Sequence, residues 1–412
     1  MRVLLFTGKG GVGKTTLAAA TAARLATTGR KTLVVSTDPA HSLGDALGVP
    51  LAGEPTEVDH PQVPGGLHAY QVDIRGLVDS SWQDLRQHLR AVLAGAGVDE
   101  LDAEELTVLP GVDDLLALSE VCRNASQGPW DVVVVDCAPT AETLRLLALP
   151  EALAGYLERL FPAHRRVVRG LLAGITGTGT PERWDATVEA LGRFADHLAS
   201  LRDLLVDHDT TSVRLVLTPE RVVLAEARRT LTALALRGMR VDGVIANRVL
   251  PRVGDERSVA ADWLRARRSE QDAVLQELVS TLELLGVPEL TVQPVGYRAE
   301  EPVGLPALLE VAAELYGDQD PLAGAPARPL IEVTGNGRRL DAEYRLRLAL
   351  PLADPVEVDL ARVGDDLAVT VDGYRRLVSL PAVLRRCTVT GAVADERGLL
   401  VSFRPDPGLW MR

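Results

Sequence analysis

Lysine is nearly missing from this chain. Of its 44 basic residues only Lys9, Lys14 and Lys31 are lysine, and two of those three fall in one glycine-rich stretch near the N-terminus. Cysteine is scarce as well. Cys122, Cys137 and Cys387 stand far apart and form no C-x-x-C pair, which excludes a disulfide framework and a cysteine-rich zinc or iron–sulfur site within one chain. No zinc site is therefore expected, and a reducing cytoplasm is the expected location. No apolar run reaches the ~18 residues of a spanning helix, and the chain opens on a strand and a glycine-rich loop rather than a secretory leader. Stable membrane insertion and export by that route are not expected. Basic charge is also in deficit, 44 against 57 acidic residues for a net charge of −13. Without a basic face there is no counterion release to drive binding, so nucleic acid and anionic membrane are excluded as electrostatic partners.

What remains is an ordinary globular composition, 46% hydrophobic and 25% charged over 412 residues. At roughly 150 residues per domain that is two or three units with a large core. The run Val3-Leu4-Leu5-Phe6-Thr7, the glycine-rich loop from Gly8 and an Ala-rich stretch closed by Gly29 predict strand, loop and helix in that order. Further strands are expected at Thr32–Ser36, Trp130–Asp136, Val213–Leu217, Val241–Ala246 and Leu290–Gln293. Continuous apolar strands bounded by helical patterns give a mostly parallel α/β sheet covered on both faces. Helical patterns over about 76–125 and 150–207, among them Glu151–Leu172 and Trp184–Leu205, predict a helical subdomain at one end of the sheet. Ser269–Leu285 is a further helical pattern. Residues 318–329 are Pro-, Gly- and Ala-rich and read as a linker. From 330 to 408 the pattern changes to period-two alternation, as in Tyr344–Leu350, Val356–Leu360 and Leu367–Val371, with turn signals at Gly364-Asp365-Asp366 and Glu396-Arg397-Gly398. That is a small antiparallel β-sandwich.

The loop Gly8-Lys9-Gly10-Gly11-Val12-Gly13-Lys14-Thr15-Thr16 satisfies G-x-x-x-x-G-K-T between a strand and a helix. Its glycines let successive backbone N–H groups face one anion, Lys14 reaches the β- and γ-phosphates, and Thr15 offers a hydroxyl to Mg²⁺. This predicts an ATP site. At the end of the second strand lies Ser36-Thr37-Asp38-Pro39-Ala40-His41-Ser42-Leu43-Gly44-Asp45. Ligands of parallel sheets sit at the carboxyl ends of strands, so Asp38 is placed to position the attacking water, or else it or Ser42 caps the next helix. Asp136, ending the Val132–Val135 run, is a candidate to hold Mg²⁺ through water, or else a helix cap.

The spacing K-G-G-x-G-K-T-T, with its second lysine, resembles the deviant Walker A motif shared by MinD, ParA, the nitrogenase iron protein and the arsenite-pump ATPases. Asp38-Pro39-Ala40-His41-Ser42-Leu43-Gly44-Asp45 is similar to switch I of the branch containing the arsenite-pump and tail-anchored-protein-targeting ATPases. Asp136-Cys137-Ala138-Pro139-Thr140-Ala141-Glu142-Thr143-Leu144-Arg145 is similar to its switch II, with Ala141 and Glu142 where the branch has Gly and His. The resemblance covers about residues 1–317. It implies a P-loop ATPase fold and an ATP-sandwiching homodimer in which Lys9 reaches the partner's nucleotide. It further implies Asp38 as the hydrolytic carboxylate, and Pro39, His41, Asp45, Asp136, Pro139 and Thr140 as switch residues. Glu220, after a strand, and Asn247 and Pro294 match the branch's nucleotide-binding positions, Asn247 as a reader of adenine; unaided, Asn247 reads as a strand-end turn residue. The terminal sandwich resembles the small heat-shock protein (α-crystallin) domain attached to some members.

The resemblance leaves three functions open. A targeting factor or chaperone would bind a hydrophobic protein client along helices such as Leu153–Phe161 and Val167–Leu172, although such apolar stripes equally read as core. Only three methionines occur in the chain and none lies there, whereas promiscuous grooves favour that residue. An arsenite efflux ATPase needs convergent soft thiolates, which three scattered cysteines do not predict. A ParA- or MinD-type positioning ATPase needs a basic face or a terminal amphipathic helix, and the ending Phe403-Arg404-Pro405-Asp406-Pro407-Gly408 is too Pro-rich for one.

Overall fold

The computed structural model describes residues 1–38, 42–63, 66–72, 112–137, 199–255, 257–284, 290–325, 331–335, 342–350, 358–371, 374–395 and 397–410. The expected helices Glu151–Leu172 and most of Trp184–Leu205 lie outside the described residues. So do most of the 76–125 block and Pro39, His41, Pro139 and Thr140.

The N-terminal unit is built on an eight-stranded sheet in the order β3-β4-β2-β5-β1-β6-β7-β8. Its strands are β1 (Arg2–Thr7), β2 (Thr32–Ser36), β3 (Thr56–Glu57), β4 (Leu67–Gln71), β5 (Val132–Asp136), β6 (Thr211–Leu217), β7 (Val241–Val249) and β8 (Val292–Gly296). All pairings are parallel except that of β3 with β4. The central strands read as unbroken apolar runs because both faces are covered. Leu4, Phe6, Val34, Val132 and Val134 pack into one core, with α1 (Lys14–Thr27) and α6 (Leu305–Tyr316). The alternate residues Val3, Leu5, Leu33, Val35, Val133 and Val135 pack into a second, with α3 (Val112–Gln127) and helical residues from 199 to 206. Among the described residues the unit also has the helices α2 (Ser42–Leu47), α4 (Arg221–Arg237) and α5 (Val259–Leu284). The α1 stretch is almost all alanine on its buried side, from Ala18 to Ala26, which lets it lie close to the strands.

Several boundaries differ from the sequence reading. β7 runs to Val249, three residues past the expected end, because its pairing with β8 slips between Ala246 and Val249. β8 spans Val292–Gly296 rather than Leu290–Gln293 and contains Pro294. Proline is tolerated there because β8 is an edge strand. The α5 helix starts ten residues before the expected Ser269.

The C-terminal unit is a pair of antiparallel sheets. One has the order β14-β15-β10-β9, with β9 (Ile331–Thr334), β10 (Tyr344–Leu348), β14 (Cys387–Asp395) and β15 (Gly398–Pro405). The other is β11-β12-β13, with β11 (Val358–Val363), β12 (Asp366–Val371) and β13 (Tyr374–Ser379); the short helix α7 (Ala382–Arg385) follows. Leu346, Leu348, Val369, Val371, Val401 and Phe403 fill the space between the sheets. Leu236 of α4 joins that same core, and the Arg376 guanidinium donates to the Ala235 carbonyl at 3.0 Å. The sandwich is therefore docked on the C-terminal end of α4.

Residues 317–325 run along the N-terminal unit, not away from it. Arg30 holds Asp320 through two hydrogen bonds, Arg240 donates to the Ala325 carbonyl at 2.6 Å, and Arg214 donates to the Pro321 carbonyl. Arg214 is itself buried against Asp242 at 3.2 Å. A Cβ at Gly324 would come within 2.4 Å of that carboxylate, so glycine is what lets the chain pass.

Candidate functional site

The site forms where the parallel strands end. In the ladder, Phe6 pairs with Asp136 and Ser36 pairs with Asp136, so the ends of β1, β2 and β5 lie in one layer. The Thr37 amide donates to the Asp136 carbonyl at 3.0 Å and the Cys137 amide to the Phe6 carbonyl at 3.2 Å, closing that layer. The phosphate loop rises from it at Gly8. A Cβ at Gly8 would lie 2.0 Å from the Val216 carbonyl oxygen, and one at Gly13, where φ is +93°, would lie 2.3 Å from Asn247 Nδ2. Gly8 is thus required by close approach to backbone, and Gly13 by its left-handed conformation. Val12 anchors the loop in the core, Gly10 and Gly11 are exposed at its tip, and Lys14 opens α1 with its side chain largely buried. Lys14 Nζ reaches back to the Lys9 carbonyl at 3.3 Å. The first turn of α1 has no acidic residue, so its free N–H groups and positive dipole end face the loop without an internal anion.

Asp136 is completely buried. Thr15 Oγ1 donates to its Oδ2 at 2.6 Å and Ser36 Oγ to the same atom at 3.1 Å, while Ser42 Oγ is 3.2 Å from Thr15 Oγ1. The other oxygen, Oδ1, is buried without a partner. Burial pushes this carboxyl above the ordinary carboxylate range, opposed by the Thr15 hydrogen bond and the Lys14 charge. A buried, under-satisfied carboxylate beside a threonine hydroxyl is the donor set a small hard cation takes up through its waters, and these residues fit Mg²⁺.

Asp38 follows the same layer. Its amide donates to Ser36 Oγ at 3.2 Å, and Gln71 Nε2 of β4 donates to its carbonyl at 2.6 Å. Its backbone is thereby tied to β2 and β4, and the residue is half-buried at the mouth of the site. Asp45 sits in the first turn of α2 and is exposed.

Two cavities flank the loop. One, of about 300 Å³, is lined by Gly13, Thr16, Asn247, Arg248, Tyr297 and Pro302 among others. Pro294 does not line it; it pairs with Ala246 in the β7–β8 ladder, and the lining begins at Val295. Asn247 Nδ2 donates to the Val12 carbonyl at 2.8 Å and its Oδ1 accepts from the Arg248 amide at 2.9 Å. One amide hydrogen and one carbonyl lone pair are left for a ligand. The second cavity, of about 520 Å³, brings Glu220 together with Lys9, Gly10, Gly11 and Val12, and with Trp263 and Gln271 of α5. Arg248 and Tyr297 line both. Arg248 is, among the described residues, the one non-glycine residue with positive φ, at 59°. Gln271 holds this turn by donating to the Arg248 carbonyl at 3.1 Å and accepting from the Leu250 amide at 2.8 Å. Ser36, Gln71, Arg248 and Tyr297 are site residues that the sequence reading did not single out. Ser36 alone carried a signal, its place at the end of a buried strand two residues before Asp38.

With this geometry the comparisons with known proteins agree. Residues 1–317 match the model of the anion-transporting ATPase family. The chain belongs to that family. Residues 341–403 match the HSP20-like domain found in ArsA. This ArsA-family ATPase is 42% identical to Protein Rv2184c of Mycobacterium tuberculosis, over 99% of this chain and 97% of the other. It is 33% identical to a putative arsenical pump-driving ATPase of Chlorobaculum tepidum, over 98% and 96%. It is 27% identical to ATPase get3 of Aspergillus terreus, over 73% of this chain and 88% of that one. The terminal unit is thus HSP20-like, and the chain is an ATPase of a nucleotide-binding family. Among the described residues no helix is long and apolar enough to cross a membrane.

Proposed function

We propose that this ATPase hydrolyses Mg·ATP as a nucleotide-sandwiching homodimer and couples the cycle to binding and release of a hydrophobic protein client. The observation that carries the engine is the Asp136 cluster. A buried carboxylate with one unpartnered oxygen, beside Thr15 and below Lys14, is completed by a hydrated cation. Mg²⁺ held there would supply positive charge against the charge that develops on the transferred phosphate. Lys14 and the loop amides then hold the phosphates. Asp38 orients water from the end of β2, Asn247 meets the base in the smaller cavity, and Glu220 and Lys9 line the larger one. Thr15 and Asp136 hold the cation, the latter through water.

The client half of the proposal rests on the similarity to ATPase get3, with the 38–45 segment resembling switch I of the branch that holds both the arsenite-pump and the tail-anchored-protein-targeting ATPases. An arsenite pump is disfavoured by the thiols. Burial pushes Cys122 up to about 12, Cys137 packs against the second core, and Cys387 is buried in the sandwich. A protonated thiol is a poor ligand for soft As(III).

The test is capture by an ATP-loaded Asp38→Asn trap from cells expressing either a tail-anchored membrane segment or a control segment interrupted by charges. Selective, ATP-dependent capture of the apolar segment is expected. Capture of neither, from a trap that binds ATP, would overturn the client half of the proposal.

A further inference from the structure

The second lysine of the loop is not free in this structure. Lys9 Nζ lies 3.1 Å from Glu226 Oε2 of the same chain, with both side chains a little under half exposed. Glu226 stands in the second turn of α4, a helix fixed by Val223, Leu224, Ala227 and Leu231 in the main core. Its backbone is held in that turn, where the Thr230 hydroxyl donates to the Glu226 carbonyl at 3.0 Å. The carboxylate therefore sits on a rigid element, while Lys9 sits on the glycine-flanked tip of the loop. Lys9 lines the larger cavity beside the phosphate site, together with Val222 and Val223 of the helix that carries Glu226.

We propose that Glu226 is a positioning residue that holds Lys9 on its own protomer, so that ATP-driven closure must exchange this ion pair for the contact Lys9 makes across the dimer. This deepens the proposed function and rests on its reading of Lys9 as a trans residue. The strength of the pair suits a latch. Half-exposed ion pairs are weak and solvent-screened, so Lys9 is biased toward its own protomer without being locked there. Lysine suits the task because a single ammonium on a flexible four-carbon stem can change partners. A buried pair in the same place would hold the loop closed to its partner, as the cost of separating buried charges shows.

The experiment measures dimerisation by sedimentation velocity in Mg²⁺ with a non-hydrolysable ATP analogue, for the full-length wild type, Glu226→Gln, Lys9→Ala and the double variant. Glu226→Gln is expected to lower the protein concentration at half-dimerisation by roughly two- to fivefold, the range of an exposed pair. Glu226→Arg should lower it at least as far by repelling Lys9. Lys9→Ala should raise it, and Glu226→Gln should have no effect in the Lys9→Ala background. An unchanged or weakened Glu226→Gln dimer would overturn the latch, as would an equal shift with Lys9 absent. If Lys9→Ala dimerises like the wild type, the trans reading fails. If Lys9→Ala is weak while Glu226→Gln is unchanged, only the latch fails.

Discussion

The contact between Gly13 and Asn247 can be taken apart energetically. Gly13 has φ +93° and a Cβ there would lie 2.3 Å from Asn247 Nδ2. The same nitrogen donates to the Val12 carbonyl at 2.8 Å. Gly13→Ala therefore carries two costs. Holding an L-residue in the left-handed region costs about 1–2 kcal/mol. Driving Asn247 off the Val12 carbonyl loses a hydrogen bond of about 0.5–1.5 kcal/mol, for a total of roughly 1.5–3.5 kcal/mol. Asn247→Ala alone loses the second term only, about 0.5–1.5 kcal/mol. The double variant pays the backbone term once and the hydrogen bond once. Its destabilisation should fall short of the sum of the single changes by about 0.5–1.5 kcal/mol, a coupling of the size neighbouring residues show. Urea unfolding of the nucleotide-free protein, followed separately for the two units, measures the cycle. Additive single changes would refute the claim that Asn247 is packed against the loop in the nucleotide-free protein.

His68 has its pKa lowered, first by burial, and rests on Trp130 at 4.9 Å between ring centres. A depressed folded-state value means stability present above the ordinary histidine range and lost as pH falls through it. His68→Phe should therefore remove part of the fall in melting temperature between pH 7 and pH 5, and an identical fall in the variant would count against it. Arg214→Leu leaves Asp242 buried without its ion-pair partner, still accepting from the Ser212 hydroxyl at 2.8 Å, and frees the Pro321 carbonyl. A loss of about 3–5 kcal/mol is expected, together with protease cleavage near residue 321; a loss under 1 kcal/mol would be inconsistent with that reading. Leu236→Ala removes a side chain that α4 places in the sandwich core. It should cost about 2–5 kcal/mol and appear in the unfolding of the C-terminal unit, whereas a change confined to the N-terminal unit would contradict the docking.

The parts legible in the sequence are those where local chemistry is self-sufficient. Val132–Val135 is apolar because both faces of β5 are covered, and the loop from Gly8 to Thr15 carries its own instructions in its glycines. β4 carries no strand signal because Leu-His-Ala-Tyr-Gln mixes polar residues into a buried strand. Its Gln71 is polar to reach the Asp38 carbonyl across 33 positions. β14 was hidden for the opposite reason: eight of its nine residues are exposed and its pairing slips at Gly391, so no alternation marks it. The contacts that make the site span long separations. Thr15 meets Asp136, Asn247 meets Val12 and Lys9 meets Glu226, and no spacing rule within one segment predicts them. Arg248, with its positive φ, is visible only once β7 and β8 are paired out of step.

The central claim is that the ends of β1, β2 and β5 assemble a hydrolytic site with Asp38 acting on water. Single-turnover hydrolysis of Mg·ATP by Asp38→Asn, beside a direct measurement of its nucleotide affinity, tests this most directly. Affinity within a few-fold of wild type and a rate lowered by at least ~100-fold, the scale of losing a positioned acid–base group, is the expected result. A variant that binds and hydrolyses ATP at the wild-type rate would contradict it.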